Sequence, residues 1–398
     1  MKKTLLLIAA LATLASAMAK PVEPTTASRI ASHWLQAVTG KTYDNLTDIT
    51  AQTPFHEFYV FTLRAEGGFI LIAADDCVLP VLGYSETSTF PVRDMPAHVK
   101  DWMDVYEEQI AFYRERYGEL DHGGSPEVRK QWDNLENGVA PLPPMATAVS
   151  PLVTTQWNQS PYYNNLCPYD NTYNERTVTG CVATAAAQIM KFWNHPATGY
   201  GSHSYTLSTY GTQSANFGAT TYNWSSMPTS LSGSSSTAQV NAVATLMYHF
   251  GVAVEMEYGP SATGGSGALS GSTNLSTAAA NNAFFSYFKY KPTLHYELKA
   301  NYTEAQWSAL LQADLNSGHP ILYSGRDPSG GHAFVCDGYN NQGQFHFNWG
   351  WGGSYDGYYT MGDQLTDTLD IVTKQQTVLL VLLVAQLRHI LVHHAVLL

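Results

Sequence analysis

Apolar positions recur at helical spacing near the start of the chain. Ile30, Trp34, Leu35 and Val38 fall on one face of the segment from Thr25 to Val38, which predicts an amphipathic helix. The texture then changes. Phe55 to Leu63 and Gly68 to Ala74 are dense in aromatic and β-branched residues, and the glycine-bearing turn at Ala65 to Gly68 separates them, predicting two paired strands. From Val99 to Tyr117, charged and aromatic residues return to helical spacing. Acidic and polar residues follow, and then Val139-Ala140-Pro141-Leu142-Pro143-Pro144-Met145. Three prolines in that run disfavour regular structure and mark an exposed, cuttable linker.

A second pattern begins near Pro151. An alanine-rich run of strong helix propensity extends from Cys181 to Trp193. The stretch from Ser202 to Ser236 is rich in Ser, Thr, Gly and Tyr, and Tyr205, Leu207, Tyr210, Phe217, Tyr222 and Trp224 punctuate it, as in loops with short strands. Helices are expected at Thr237 to Phe250 and Thr303 to Ser317. Strands are expected at Pro320 to Ser324, His332 to Tyr339, Gln344 to Asn348 and Gly357 to Met361. This half is helix-rich first and strand-rich second, and no internal repeat is present.

Composition narrows the class. With 398 residues, 44% hydrophobic and 13% charged, the chain has core material for two domains. A net charge of −12 offers phosphates no basic patch, which excludes nucleic-acid partners. Met1-Lys2-Lys3, the apolar run Leu5 to Leu14 and Ala17-Met18-Ala19 form a secretory signal over residues 1–19, so the exported chain starts at Lys20. Four cysteines are too few for a disulfide framework. Cys77, Cys167 and Cys336 read as small buried hydrophobes, and Cys181 as a free thiol.

Cys181 carries the chemistry. It follows Gly180 at the head of a helix, where unpaired N–H groups and the positive end of the macrodipole favour thiolate over thiol. His332 stands 151 residues later, the order and separation of a papain-like nucleophile and base. On a strand, His332, Phe334 and Cys336 share a face, and Gly330-Gly331 lets a substrate backbone approach. No H-E-x-x-H or C-x-x-C occurs, so neither a metal nor another cofactor is expected.

Three separated motifs carry a resemblance: Gly180-Cys181-Val182-Ala183-Thr184 with Ala187-Gln188-Ile189-Met190-Lys191; Gly330-Gly331-His332-Ala333-Phe334-Val335; and Asn348-Trp349-Gly350-Trp351-Gly352-Gly353. Together they closely resemble the streptopain family of secreted bacterial cysteine peptidases, which includes the interpain enzymes. The resemblance implies an α+β chain: a two-lobed papain-like catalytic domain at 146–370 behind a small α+β propeptide at 20–145 that inhibits it in cis. It implies Gln159 as an oxyanion donor beside the Cys181 N–H. Either Asn348 or a tryptophan, Trp349 first, would support His332. Substrate would run along Gly331, with Ser261 and Gly264 in the loop Tyr258 to Gly265 as a pocket wall. The substrates implied are proteins or peptides.

Residues 371–398 depart from the family and read as an atypical tail, where the usual last core strand and cleft rim are not recognisable. The apolar run Val378 to Ala385 is far shorter than the ~20 residues that span a bilayer, and Arg388, His389, His393 and His394 follow it, so no membrane anchor is expected. Two alternatives stand beside the peptidase: a papain-fold amidase or acyl transferase using the same Cys–His pair, and a homologue impaired by its tail. A non-enzymatic adhesin or inhibitor is disfavoured by the intact Cys181 and His332.

Overall fold

The computed structural model describes residues 20–64, 67–119, 125–139, 147–291, 294–327, 330–361 and 379–382. The signal expected at 1–19, the linker prolines and most of the tail lie outside the described residues. In chain order the first elements are α1 (Pro24–Thr39), β1 (Thr47–Asp48), β2 (Phe58–Thr62), β3 (Phe69–Ala73), β4 (Val81–Ser85), α2 (Ala97–Glu119) and α3 (Pro126–Glu136). Next come β5 (Tyr169–Asp170), β6 (Glu175–Arg176), α4 (Cys181–Trp193), β7 (Ser202–Leu207), β8 (Gly211–Asn216), α5 (Thr237–Ala253) and α6 (Ala280–Phe288). The last are β9 (His295–Leu298), α7 (Glu304–Asn316), β10 (Ile321–Asp327), β11 (Gly330–Tyr339), β12 (Phe345–Asn348), β13 (Gly357–Tyr359) and β14 (Leu379–Leu382).

The chain divides into two compact units, and the division is not collinear. The first takes Met1–Ala146 together with Asn341–Gln344 and Gly357–Ile371. Its helix α1 starts on Pro24, where the missing N–H costs nothing, and stops at Gly40 with φ +71°. It buries Ala27, Ile30, Ala31, Trp34 and Leu35, while Val38 is only partly covered. Its antiparallel sheet runs β1-β2-β3-β4-β13, with Tyr358 opposite Tyr84 and Tyr359 opposite Gly83. Strand β4 and helix α3 were not foreseen. In α3 the signal is legible afterwards: Ser125 caps Val128 N–H, Pro126 opens the helix, and Val128, Trp132 and Leu135 bury one face.

The second unit holds Thr147–Asn340, Phe345–Asp356 and Val372–Leu398. In its core, Ala183, Ala186, Ala187 and Met190 of α4 join Val243, Leu246, Met247 and Phe250 of α5. The alanines let α5 come close, and α4 also packs on β11. An antiparallel sheet runs β12-β11-β10-β14-β9. The tail supplies a strand that its sequence did not advertise: β14 lies between β10 and β9, with Leu322 opposite Val381 and Leu382 opposite His295. Helix α6 was missed because polar Asn281 and Asn282 interrupt its apolar pattern. Both are buried, and their amides fasten the preceding loop at Ser272, Asn274 and Thr277. Among the described residues no helix is long and apolar enough to cross a membrane.

Candidate active site

Helix α4 begins at Cys181 because of what precedes it. Gly180 has φ +86° and ψ 144°, a conformation nearly restricted to glycine. A Cβ there would lie 2.6 Å from Met256 Sδ and 3.2 Å from the Ser266 carbonyl oxygen. Thr184 then locks the first turn by donating its hydroxyl to the Gly180 carbonyl at 3.1 Å. Val182 through Met190 are buried, whereas Cys181 is partly exposed. The thiol sits against the backbone N–H of Ala333, so the fold brings it to the residue following His332. Burial pushes its pKa up; the N–H groups of Ala333, Val182 and Cys181 itself pull the other way and do not overcome it. The N–H groups at the helix start thus favour thiolate, as the sequence implies, and burial works against them.

His332 lies on β11 opposite Gly325 of β10, so the residue directly across from it carries no side chain. Its ring is 4% exposed and lies nearly parallel to three aromatic rings: Phe334, Trp349 and Trp351, at interplanar angles of 22°, 11° and 15°. His332 Nε2 is 3.0 Å from the Trp349 carbonyl oxygen. A carbonyl only accepts, so Nε2 carries the hydrogen, and the neutral ring keeps its basic lone pair on Nδ1.

The polar atoms of Asn348 are bound away from the imidazole. Its Oδ1 accepts from Gln188 Nε2 at 2.9 Å and from Gly350 N–H at 3.1 Å, and its Nδ2 donates to the Thr155 carbonyl at 2.7 Å. Trp349 meets the imidazole with both its backbone carbonyl and its ring. The Trp349 N–H donates to Asp356 Oδ1 at 2.8 Å. Burial raises the Asp356 carboxyl to about 7, against that N–H and nearby His346. Asp337 pairs with His346 Nδ1 at 2.6 Å and accepts from Val153 N–H, so it is not a third member for His332.

Gln159 is buried, and its carbonyl accepts the Thr179 N–H at 3.3 Å, which ties its segment to the turn before Cys181. Gly331 is exposed at the edge of His332. Ser261 and Gly264 are exposed, and their loop is stapled to the same approach: Val178 N–H donates to the Gly259 carbonyl at 3.2 Å, and Ser266 Oγ to the Val178 carbonyl at 2.7 Å. Gly352 N–H donates to the Trp157 carbonyl at 3.1 Å, joining the tryptophan loop to the Gln159 segment. Sequence reasoning missed Ser266 and Met256 and gave no role to Gln188, although it lies in the cysteine motif. The last left a signal, a lone amide inside an alanine-rich helix two turns after the cysteine. Cys77, Cys167 and Cys336 are buried.

A thiol at a helix start, a tautomer-fixed imidazole and a buried amide upstream are the parts of nucleophilic acyl transfer. Known proteins agree. The sequence model of the peptidase C10 family matches residues 157–359, and that of a Spi protease inhibitor matches residues 19–110. The thiol protease/hemagglutinin PrtT of Porphyromonas gingivalis is 34% identical over 76% of this chain, which spans only 33% of that protein's length. Streptopain of Streptococcus pyogenes is 30% identical over 76% of this chain and 73% of its own. Among solved structures, a mutant prointerpain A fragment from Prevotella intermedia is similar with a TM-score of 0.65 at 33% identity, over 84% of this chain and 97% of that one. Active interpain A is similar with a TM-score of 0.51 at 37% identity, over 60% and 98%. The chain belongs to the peptidase C10 family.

Proposed function

We propose that this chain is an exported cysteine endopeptidase, made as a zymogen, in which Cys181 is the nucleophile and His332 the base and acid. The observation that carries the assignment is a thiol set against the N–H of Ala333, the residue next to His332, whose own Nε2–H is held by the Trp349 carbonyl. The proton of Cys181 passes to His332 Nδ1, and the thiolate attacks the peptide carbonyl carbon. The oxyanion that forms takes hydrogen bonds from the Cys181 N–H and the Gln159 side chain. His332 then gives its proton to the departing amine, leaving a thioester that water cleaves with His332 again as base. The imidazolium formed in between donates both N–H groups, and the Trp349 carbonyl stabilises it.

Substrate backbone lies along Gly331, with Ser261 and Gly264 on the pocket wall. The match of residues 19–110 to a protease inhibitor supports reading 20–145 as a propeptide that keeps the enzyme latent until the chain is cut within 137–155. The leader at 1–19 supports export. The test is labelling of the matured protein by E-64, a cysteine-peptidase inhibitor. Adduct on Cys181, with peptide hydrolysis lost in Cys181→Ala, is expected. Unlabelled Cys181, or hydrolysis surviving in Cys181→Ala, refutes the assignment.

A further inference from the structure

Gln188 is completely buried on α4, seven residues and so two turns beyond Cys181. Its Oε1 accepts from Thr155 Oγ1 at 2.9 Å and from Trp157 N–H at 3.2 Å. Its Nε2 donates to Asn348 Oδ1 at 2.9 Å. The direction of each bond is fixed by chemistry. A backbone N–H can only donate, so Trp157 sets the orientation of Gln188. Likewise Gly350 N–H and the Thr155 carbonyl set that of Asn348. No atom of either amide is left to turn.

The peptide unit between Trp349 and Gly350 is the object this network holds. Its N–H end is bound by Asn348 Oδ1, and its carbonyl end receives His332 Nε2–H. A peptide group is planar and rigid, so gripping one end aims the other. Gly350 adopts φ +75°, and a Cβ there would lie 3.2 Å from Thr184 Cγ2, so the turn closes directly on the first turns of α4. On its other side Gln188 holds Thr155 and Trp157, the segment that leads to Gln159.

Resting on the peptidase reading above, we propose that Gln188 is a positioning residue of the catalytic centre. One buried amide on the nucleophile's own helix fixes the carbonyl that orients His332, acting through Asn348, and fixes the arm that carries Gln159, acting through Thr155 and Trp157. The three parts of the reaction come from three segments far apart in sequence, and Gln188 is where all three are joined.

The test compares wild type, Gln188→Met, Asn348→Ala and the double variant. All are expressed as full chains and matured with tagged wild-type enzyme that is then withdrawn. Rates on a fluorogenic peptide are divided by sites titrated with E-64. Gln188→Met is expected to keep wild-type circular dichroism and a KM within about threefold, while kcat falls about 10²-fold, the scale of a 1 Å misplacement. The double variant is expected to lose no more than the worse single variant, since Asn348 is one of the two routes through which Gln188 acts. A kcat within about threefold of wild type, a loss confined to KM, or losses that multiply in the double variant would overturn the proposal. Should Gln188→Met fail to fold, Gln188→Glu decides: it keeps the oxygen that serves Thr155 and Trp157 and removes the amide donor to Asn348. Full kcat in that variant likewise overturns the proposal. A wild type that neither cleaves peptide nor labels at Cys181 refutes the peptidase reading itself, which is a separate outcome.

Discussion

Replacing Gly180 by alanine puts the geometry before the nucleophile to a quantitative test. Two penalties add. The backbone at φ +86°, ψ 144° is nearly closed to residues with a Cβ, at about 1–3 kcal/mol. The new methyl would lie 2.6 Å from Met256 Sδ, 2.7 Å from its Cε and 3.2 Å from the Ser266 carbonyl oxygen. The thioether end can move, but Met256 is fully buried, so making room is overpacking at about 1–3 kcal/mol. The sum, about 2–6 kcal/mol, is a large part of an ordinary domain's 5–15 kcal/mol. At about 2–4 °C per kcal/mol, the melting midpoint should drop by roughly 5–20 °C. Gly318→Ala is the control. That glycine has φ +76° at the end of α7, and its added Cβ meets nothing within 4 Å, so strain acts alone at about 1 kcal/mol. Melting by circular dichroism and the rate of E-64 labelling are measured on both. If Gly180→Ala melts with the control and labels at the wild-type rate, the claim that Gly180 is demanded by contact as well as by φ is refuted.

Three further outcomes follow from the site. Because burial holds the Cys181 thiol up and backbone N–H groups do not reverse this, ionisation near neutral pH should depend on His332. In the matured enzyme, iodoacetamide should react along an acidic plateau in wild type, whereas His332→Gln should react only as pH rises past the ordinary thiol range; a plateau surviving in His332→Gln contradicts this. Asp356, with its carboxyl at about 7 in the fold, binds a proton more tightly than the unfolded chain does at about 4. Native protein then holds more protons between those values, so stability falls as pH rises through that window. His346 acts in the same direction: burial lowers its pKa, but Asp337 and Asp356 raise it further, and its contribution is lost as pH climbs through that raised value. Asp356→Asn keeps an oxygen for Trp349 N–H and should flatten the decline in melting midpoint; equal slopes in variant and wild type would refute it. Finally, full-length wild type should shorten on storage by cutting within 137–155 while Cys181→Ala stays whole. Mass spectra over time decide, and an uncut wild type cleaving peptides at full rate would remove the inhibitory role of residues 20–145.

The cysteine at the helix start was legible because its cause is local. A glycine before a cysteine and an alanine run after it describe a helix start whether or not the rest of the chain is known. His332 and the tryptophan loop were legible as residue types in the right order. What each does was not, because partners are assigned by the register of β11 against β12 and β10, and hydrophobic pattern fixes faces rather than partners. Asp337 illustrates the point. Alternation along a strand sets it on the face away from His332, and only the register, with its shift between Cys336 and Gly338, reveals that it meets His346. Strand β14 marks the opposite limit. Its residues carry plain apolar character, and nothing local tells a central strand from a stray hydrophobic run until β9 and β10 present free edges to it.

The support of His332 by a backbone carbonyl changes what mutation can reveal about it. An asparagine side chain that orients an imidazole can be deleted in one step, and its contribution read from the loss. A carbonyl cannot be deleted, because every residue placed at Trp349 brings one. Its position is instead delegated to the side chains that hold the peptide at its two neighbours: Asp356 on Trp349 N–H, and Asn348, with Gln188 behind it, on Gly350 N–H. Substituting Trp349 therefore tests ring stacking against His332 and leaves the carbonyl in place, so Trp349→Phe should retain most activity. Moving the holders displaces the carbonyl while the tryptophan stays. Activity that tolerates Trp349→Phe but falls in Gln188→Met would locate the third member in the backbone, and the reverse ranking would locate it in the ring.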